Sequence, residues 1–270
     1  MGLIRINFMT KYEANLSQIY YVVLPLVRRA GQMLTVKQAG VIEQTGVERD
    51  AAVKRAVEEV FTFESETVQM LFPEHAVMGA GDATKKSEWQ WIFAPLDGVL
   101  YYKNGLPLFT TSAVLRHKGE VVLAIVHQPQ TDDTYYTLAK QGAYHNERKV
   151  TLGKTSEVRG SLAYVASREG DRDNQQRNQA VVALTNAGAT VLALGVPSLG
   201  LCYMAAGLYD SCYLALDSKS LVNQVAGLTI AREAGAVVSD GTGAPLSGQA
   251  IDSIVVANKQ LHPKVVALVR

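Results

Sequence analysis

A chain of 270 residues, 48% hydrophobic and 19% charged, is long enough to bury a large core and suits one large domain or two tightly fused halves. A formal net charge of +1 gives no overall field toward nucleic acid or an anionic membrane, so no nucleic-acid or membrane partner is expected. Two cysteines in apolar stretches, Cys202 and Cys212, and five scattered histidines argue against a disulfide scaffold and a zinc enzyme.

The N-terminus lacks a charged-then-apolar leader pattern. The apolar run at 19–27 is short and broken by Pro25, so it does not span a bilayer, and a cytoplasmic protein is expected. Apolar positions at Leu16, Ile19, Tyr20, Val23, Leu26, Val27 and Ala30 give one helix face over 11–34, with Pro25 as a kink or break. Residues 40–46 read as a loop. A second helix runs from 49 to 71 and ends before Pro73; its acids Glu58, Glu59, Glu64 and Glu66 read as a solvated face.

Strands follow at 76–78, 91–93, 109–116, 121–127 and 134–139, with a short one at 141–144. The loops 117–120 and 128–133, the latter carrying Asp132-Asp133, join hairpins. Consecutive hairpins predict an antiparallel sheet covered by the two helices. Beyond residue 151 the pattern alternates: strand 161–166, helix 173–187, strand 190–194, helix 199–206, extended chain 209–216, helix 221–234, strands 237–238 and 253–257, and helix 263–269. The expected organisation is α+β over 1–150 and α/β over 151–270, fused as one compact unit.

One corner invites chemistry. The strand carrying Trp91-Ile92-Phe93 runs into Ala94-Pro95-Leu96-Asp97-Gly98-Val99, where Pro95 interrupts pairing and Asp97-Gly98 forms a tight turn. A carboxylate beside bare amides at a strand end is the kind of corner that holds a metal or an anion. Gly79-Ala80-Gly81 also opens like a dinucleotide-binding loop, but Thr84 stands at the third glycine position and no helix pattern opens there.

The corner resembles the inositol monophosphatase family of magnesium-dependent phosphomonoesterases, whose hallmark reads D-P-(I/L)-D-G-T. Further segments in the right order are similar to that family: Phe72-Pro73-Glu74-His75, Gly105-Leu106-Pro107, Lys140-Gln141-Gly142-Ala143-Tyr144-His145-Asn146, the run from Leu201 to Asp210, and Ala226-Gly227 with Glu233-Ala234-Gly235. The resemblance implies a layered αβαβα sandwich, often dimeric, and two or three magnesium ions held by carboxylates.

Set against the family's motifs, most of those carboxylates are replaced. Gly79-Ala80-Gly81 stands where the resemblance implies G-E-E, Ala94 stands for the first aspartate of the hallmark and Val99 for its threonine. Asn223 stands for the aspartate of W-D-x-A-A-G. Asp97 is the retained ligand, with Asp82 and Asp217 as nearby substitutes. The expectation is a vestigial ligand site at Asp97, Gly98, Val99 and Asn223, with magnesium binding lost or weak. Phosphate ester hydrolysis is then lost too, leaving a homodimer that binds a small phosphorylated ligand or a protein partner. The alternative is an active or weak phosphatase acting on a small phosphorylated metabolite, or a repurposed enzyme, in the same cleft. Tyr101 and Tyr102 beside the corner read as filling the volume that metals would take.

Overall fold

The computed structural model describes residues 2–78, 86–166, 175–216, 222–246 and 251–270, with side chains from residue 16 onward. Two long helices open the chain, α1 (Gly2–Ile42) and α2 (Gly46–Leu71). Gly40 belongs to α1, so the expected loop at 40–46 shrinks to 43–45. Pro25 does not break α1. It and Tyr21, whose carbonyl loses its N–H partner, both lie on the solvent side, where water replaces the missing bond.

Next comes a seven-stranded sheet in sequential order: β1 (Ala76–Met78), β2 (Trp89–Asp97), β3 (Thr110–His117), β4 (Glu120–Gln128), β5 (Asp133–Leu138), β6 (Ala143–His145) and β7 (Arg148–Val150). β1 joins β2 in parallel and every other neighbour is antiparallel. A five-residue helix, α3 (Val99–Lys103), interrupts the meander between β2 and β3. Neither α3 nor β7 is visible in the hydrophobic periodicity, because both are too short to show one.

The second half holds β8 (Leu162–Ala166), α4 (Gln175–Asn186), β9 (Thr190–Ala193), α5 (Pro197–Ala205), β10 (Ser211–Ala215), α6 (Val222–Glu233), β11 (Val237–Asp240), β12 (Ser253–Ala257) and α7 (His262–Val269). Its strands form a five-stranded sheet in the order β11-β12-β10-β8-β9, with β8, β9 and β10 parallel.

Alternation along the strands decides the layering. Trp91, Phe93, Ala113, Leu115 and Ile125 pack beneath α1 and α2 with Val23, Val27 and Val68. Ile92, Val114, Ala124 and Val126 point the other way, onto Leu199, Cys202 and Ala205 of α5 and Ala226 and Ile230 of α6. The opposite sides of α5 and α6 present Leu201, Met204, Leu228 and Ala231 to Tyr164, Leu214 and Val256 of the second sheet. That sheet's outer face is covered by α4 and α7 through Leu184 and Val265. The result is a five-layer αβαβα sandwich.

Glu64 departs from its expected place on a solvated face. It is fully buried, one turn from Val60 and one from Val68 on the core side of α2. Burial holds its carboxyl well above the ordinary glutamate range.

Candidate functional site

The corner is built where β2 ends. Its register against β3 pairs Ala94 with Ser112 and next Asp97 with Thr110, the irregularity falling at Pro95 and Leu96 as expected of a residue with no N–H to donate. The bulge turns Asp97 toward the start of α5, and the chain then folds at Gly98 into α3.

Gly98 has φ of 94°, and an added Cβ would lie 2.5 Å from the carbonyl oxygen of Leu108. Only glycine fits such a left-handed position against a neighbouring backbone. Gly98 therefore answers to a backbone need whether or not a ligand binds.

Asp97 is 7% exposed. Its Oδ2 accepts the Ser198 backbone N–H at 2.8 Å and also the Ser198 hydroxyl in a short contact. The Ser198 Oγ lies 2.7 Å from Thr110 Oγ1, so the two hydroxyls and the carboxylate form a closed, buried chain. Burial pushes the Asp97 carboxyl up to about 6, and the donors from Ser198 and Gly98 oppose that rise. In effect Asp97 caps α5: Pro197 stands in the first helical turn, and the carboxylate takes the N–H beside it.

The remaining expected residues take up structural posts. Ala94 is 4% exposed and packed in the strand. Val99 is half-buried against the cluster that holds Leu34, Val60 and Phe109. Tyr102 is fully buried, donates its hydroxyl to the Leu34 carbonyl at 2.9 Å and meets Phe109 edge-on. Tyr101 accepts the Gly195 N–H at 3.0 Å, tying α3 to the loop before α5.

Asn223 is half-buried in the first turn of α6 and shares no hydrogen bond with Asp97 among the described residues. Its helix nonetheless runs close to the Asp97 cap, since a Cβ on Gly227 would come within 3.1 Å of the Ser198 carbonyl oxygen. Gly79, Ala80, Gly81, Asp82, Thr84, Lys85 and Asp217 lie outside the described residues. Among the described residues no three His, Cys, Asp or Glu side chains gather as a metal site.

Other acidic candidates resolve as structural. Asp133 accepts from Asn146 Nδ2 at 2.9 Å and lies 2.7 Å from His145 Nε2, while Asp132 sits 3.5 Å from Arg28. The Glu233 carboxylate accepts the N–H groups of Lys140 and Gly142, pinning α6 to the β5–β6 turn. Sequence reasoning missed Ser198 and Thr110. Pro197 was the available signal, because proline favours the first turn of a helix and places Ser198 at its mouth.

Five layers with α5 and α6 sandwiched between two sheets, and an acidic turn leaving β2 toward both helices, define a layered phosphatase-type α/β fold. The sequence pattern described as the inositol monophosphatase family matches residues 15–270, and the chain belongs to that family. It is 30% identical over 181 residues to a protein named Nus factor SuhB from Vibrio cholerae, covering 66% of this chain and 67% of that one. A fructose-1,6-bisphosphatase/inositol-1-monophosphatase from Thermotoga maritima is 24% identical over 250 residues, covering 91% and 93%. Among solved structures, the extragenic suppressor protein SuhB of Bartonella henselae superposes with a TM-score of 0.80 at 18% identity, covering 93% of this chain and 99% of that one.

Proposed function

We propose that this member of the inositol monophosphatase family has lost metal-dependent phosphate ester hydrolysis and acts by binding a small phosphorylated ligand or a protein partner. The observation that carries this reading is the double hydrogen bond from Ser198 to Asp97. A magnesium ion needs hard, anionic oxygens in octahedral array. Here one Asp97 oxygen is already engaged by two protein donors, and Ala94, Val99 and Asn223 offer no charge.

The residues described at the corner thus do not fit a two-metal site, and no catalytic step is routed through one. We read Asn223, Gly98 and Val99 as the other members of a vestigial ligand site around Asp97. We read residues 1–150 and 151–270 as halves of one compact unit, since α5 and α6 pack on both sheets. No helix among the described residues is long and apolar enough to cross a membrane. A cytoplasmic homodimer is the assembly we infer.

A partner role draws support from the relatives, some of which are named Nus factor SuhB rather than as enzymes. Enzyme-named relatives favour the second reading, a weak phosphatase in the same cleft. One experiment separates the two: turnover of inositol monophosphate and fructose bisphosphate with and without magnesium. Background rates are expected. Metal-dependent turnover that disappears in Asp97→Asn overturns the proposal.

A further inference from the structure

α2 presents a continuous apolar face, Val53, Ala56, Val60 and Val68, broken at one position by Glu64. Glu64 lies between two packed groups. On one side Val68 joins Val23, Val27, Trp91 and Phe93; on the other Val60 joins Ala30, Leu34, Leu96, Tyr102 and Phe109. Both oxygens of its carboxyl are buried and have no hydrogen-bond partner among the described residues.

Among the described side chains, the charged groups of the elements packed on α2 have partners elsewhere or lie at the surface. On α1, Arg28 faces Asp132, Arg29 faces Gln32 and Lys37 pairs with Glu59. Lys103 of α3 pairs with Asp50, β1 carries no charge, and Asp97 at the end of β2 is held by Ser198. On α2 itself Lys54 pairs with Glu58, and Arg55 and Glu66 are exposed. Burial therefore raises the Glu64 carboxyl, and among the described residues no charge stands beside it to stabilise its ionised form.

We propose that Glu64 is a built-in pH switch for the α1–α2 layer: neutral, it lets the two helices close on the sheet, and its ionisation opens the layer. The opening reaches the Asp97 corner, because α1 and α2 hold it from outside. Leu34 takes the Tyr102 hydroxyl, the Gln38 amide donates to the Tyr102 carbonyl at 2.9 Å, and Leu96 and Val99 belong to the same packed cluster as Val60. The step is a single proton loss from Glu64 to solvent, coupled to local opening of two helices.

Hydrogen exchange of the whole protein tests this, with protection corrected for the intrinsic pH dependence of exchange. Amides at 19–34 and 53–68 should lose protection by ~tenfold per pH unit as pH rises above the ordinary glutamate value, since one proton leaves on opening. β3 and β4 should keep theirs. In Glu64→Gln that pH slope should vanish, and Glu64→Met serves should the amide variant fail to fold. The same slope in either variant, a flat wild type, or an equal loss across every element would overturn the proposal.

Discussion

Asp97 and Ser198, 101 residues apart, are joined twice: the serine's N–H and its hydroxyl both point at one carboxylate oxygen. The acid at the end of β2 thereby becomes the cap of α5, and Thr110 completes the chain through the same hydroxyl. Ser198→Ala removes one donor and leaves Thr110 Oγ1 without its partner. It should lower stability by about 1–3 kcal/mol, measured by urea unfolding, because buried groups left unpaired lose their full desolvation term. An unchanged midpoint would show that the hydroxyl contributes nothing.

The pH dependence of the same group has a definite sign. Asp97 ionises in the folded protein near 6, above its ordinary value, so the unfolded chain loses that proton first. Stability from this group is therefore complete below the unfolded value, near 4, and lost as pH rises through about 6. Asp97→Asn should be insensitive over that window. Its stability relative to wild type should rise on the order of 2–3 kcal/mol between acid and neutral pH. Parallel denaturation curves for the two proteins across the window would contradict this.

Gly98 offers a cleaner separation of fold from chemistry. Gly98→Ala forces a side chain into a left-handed turn and against the Leu108 carbonyl. A loss on the order of 2–4 kcal/mol is expected from thermal unfolding, from backbone strain and overpacking together. A loss of a few tenths would mean that the turn relaxes freely and that the backbone does not require glycine there.

Much of the fold was legible because its motifs have structural work apart from any ligand. The Lys140–Asn146 turn is held by Glu233 and by the Asn146 side chain, which accepts the Thr134 N–H. The Ala226-Gly227 pair lets α6 lie close to α5 at Ser198 and Leu201. Such residues serve the architecture whatever the site does.

The candidate corner was legible only in outline. The family resemblance implies that Asp97, Ala94 and Asn223 lie near one another, but whether Asp97 is open or engaged depends on a partner 101 residues away, and no local pattern reports such a bond. Glu64 failed for a related reason. An isolated acid on a helix defaults to the solvated side, and its burial follows from the phase of α2 against α1 and β2 rather than from its neighbours in sequence.

We expect the Asp97 corner neither to need nor to hold a metal. In a carboxylate cluster, metal-free repulsion lowers stability and the ion restores it. With Ala94 and Asn223 neutral and Asp97 tied to Ser198, we expect that repulsion to be absent beforehand. Ala80→Glu, Ala94→Asp, Val99→Thr and Asn223→Asp together should lower the apo melting temperature and make it rise with magnesium, whereas single restorations should do little. The most direct measurement is the wild-type melting temperature in EDTA and in excess magnesium. The account predicts the same value in both, and a rise of several degrees with magnesium would contradict it.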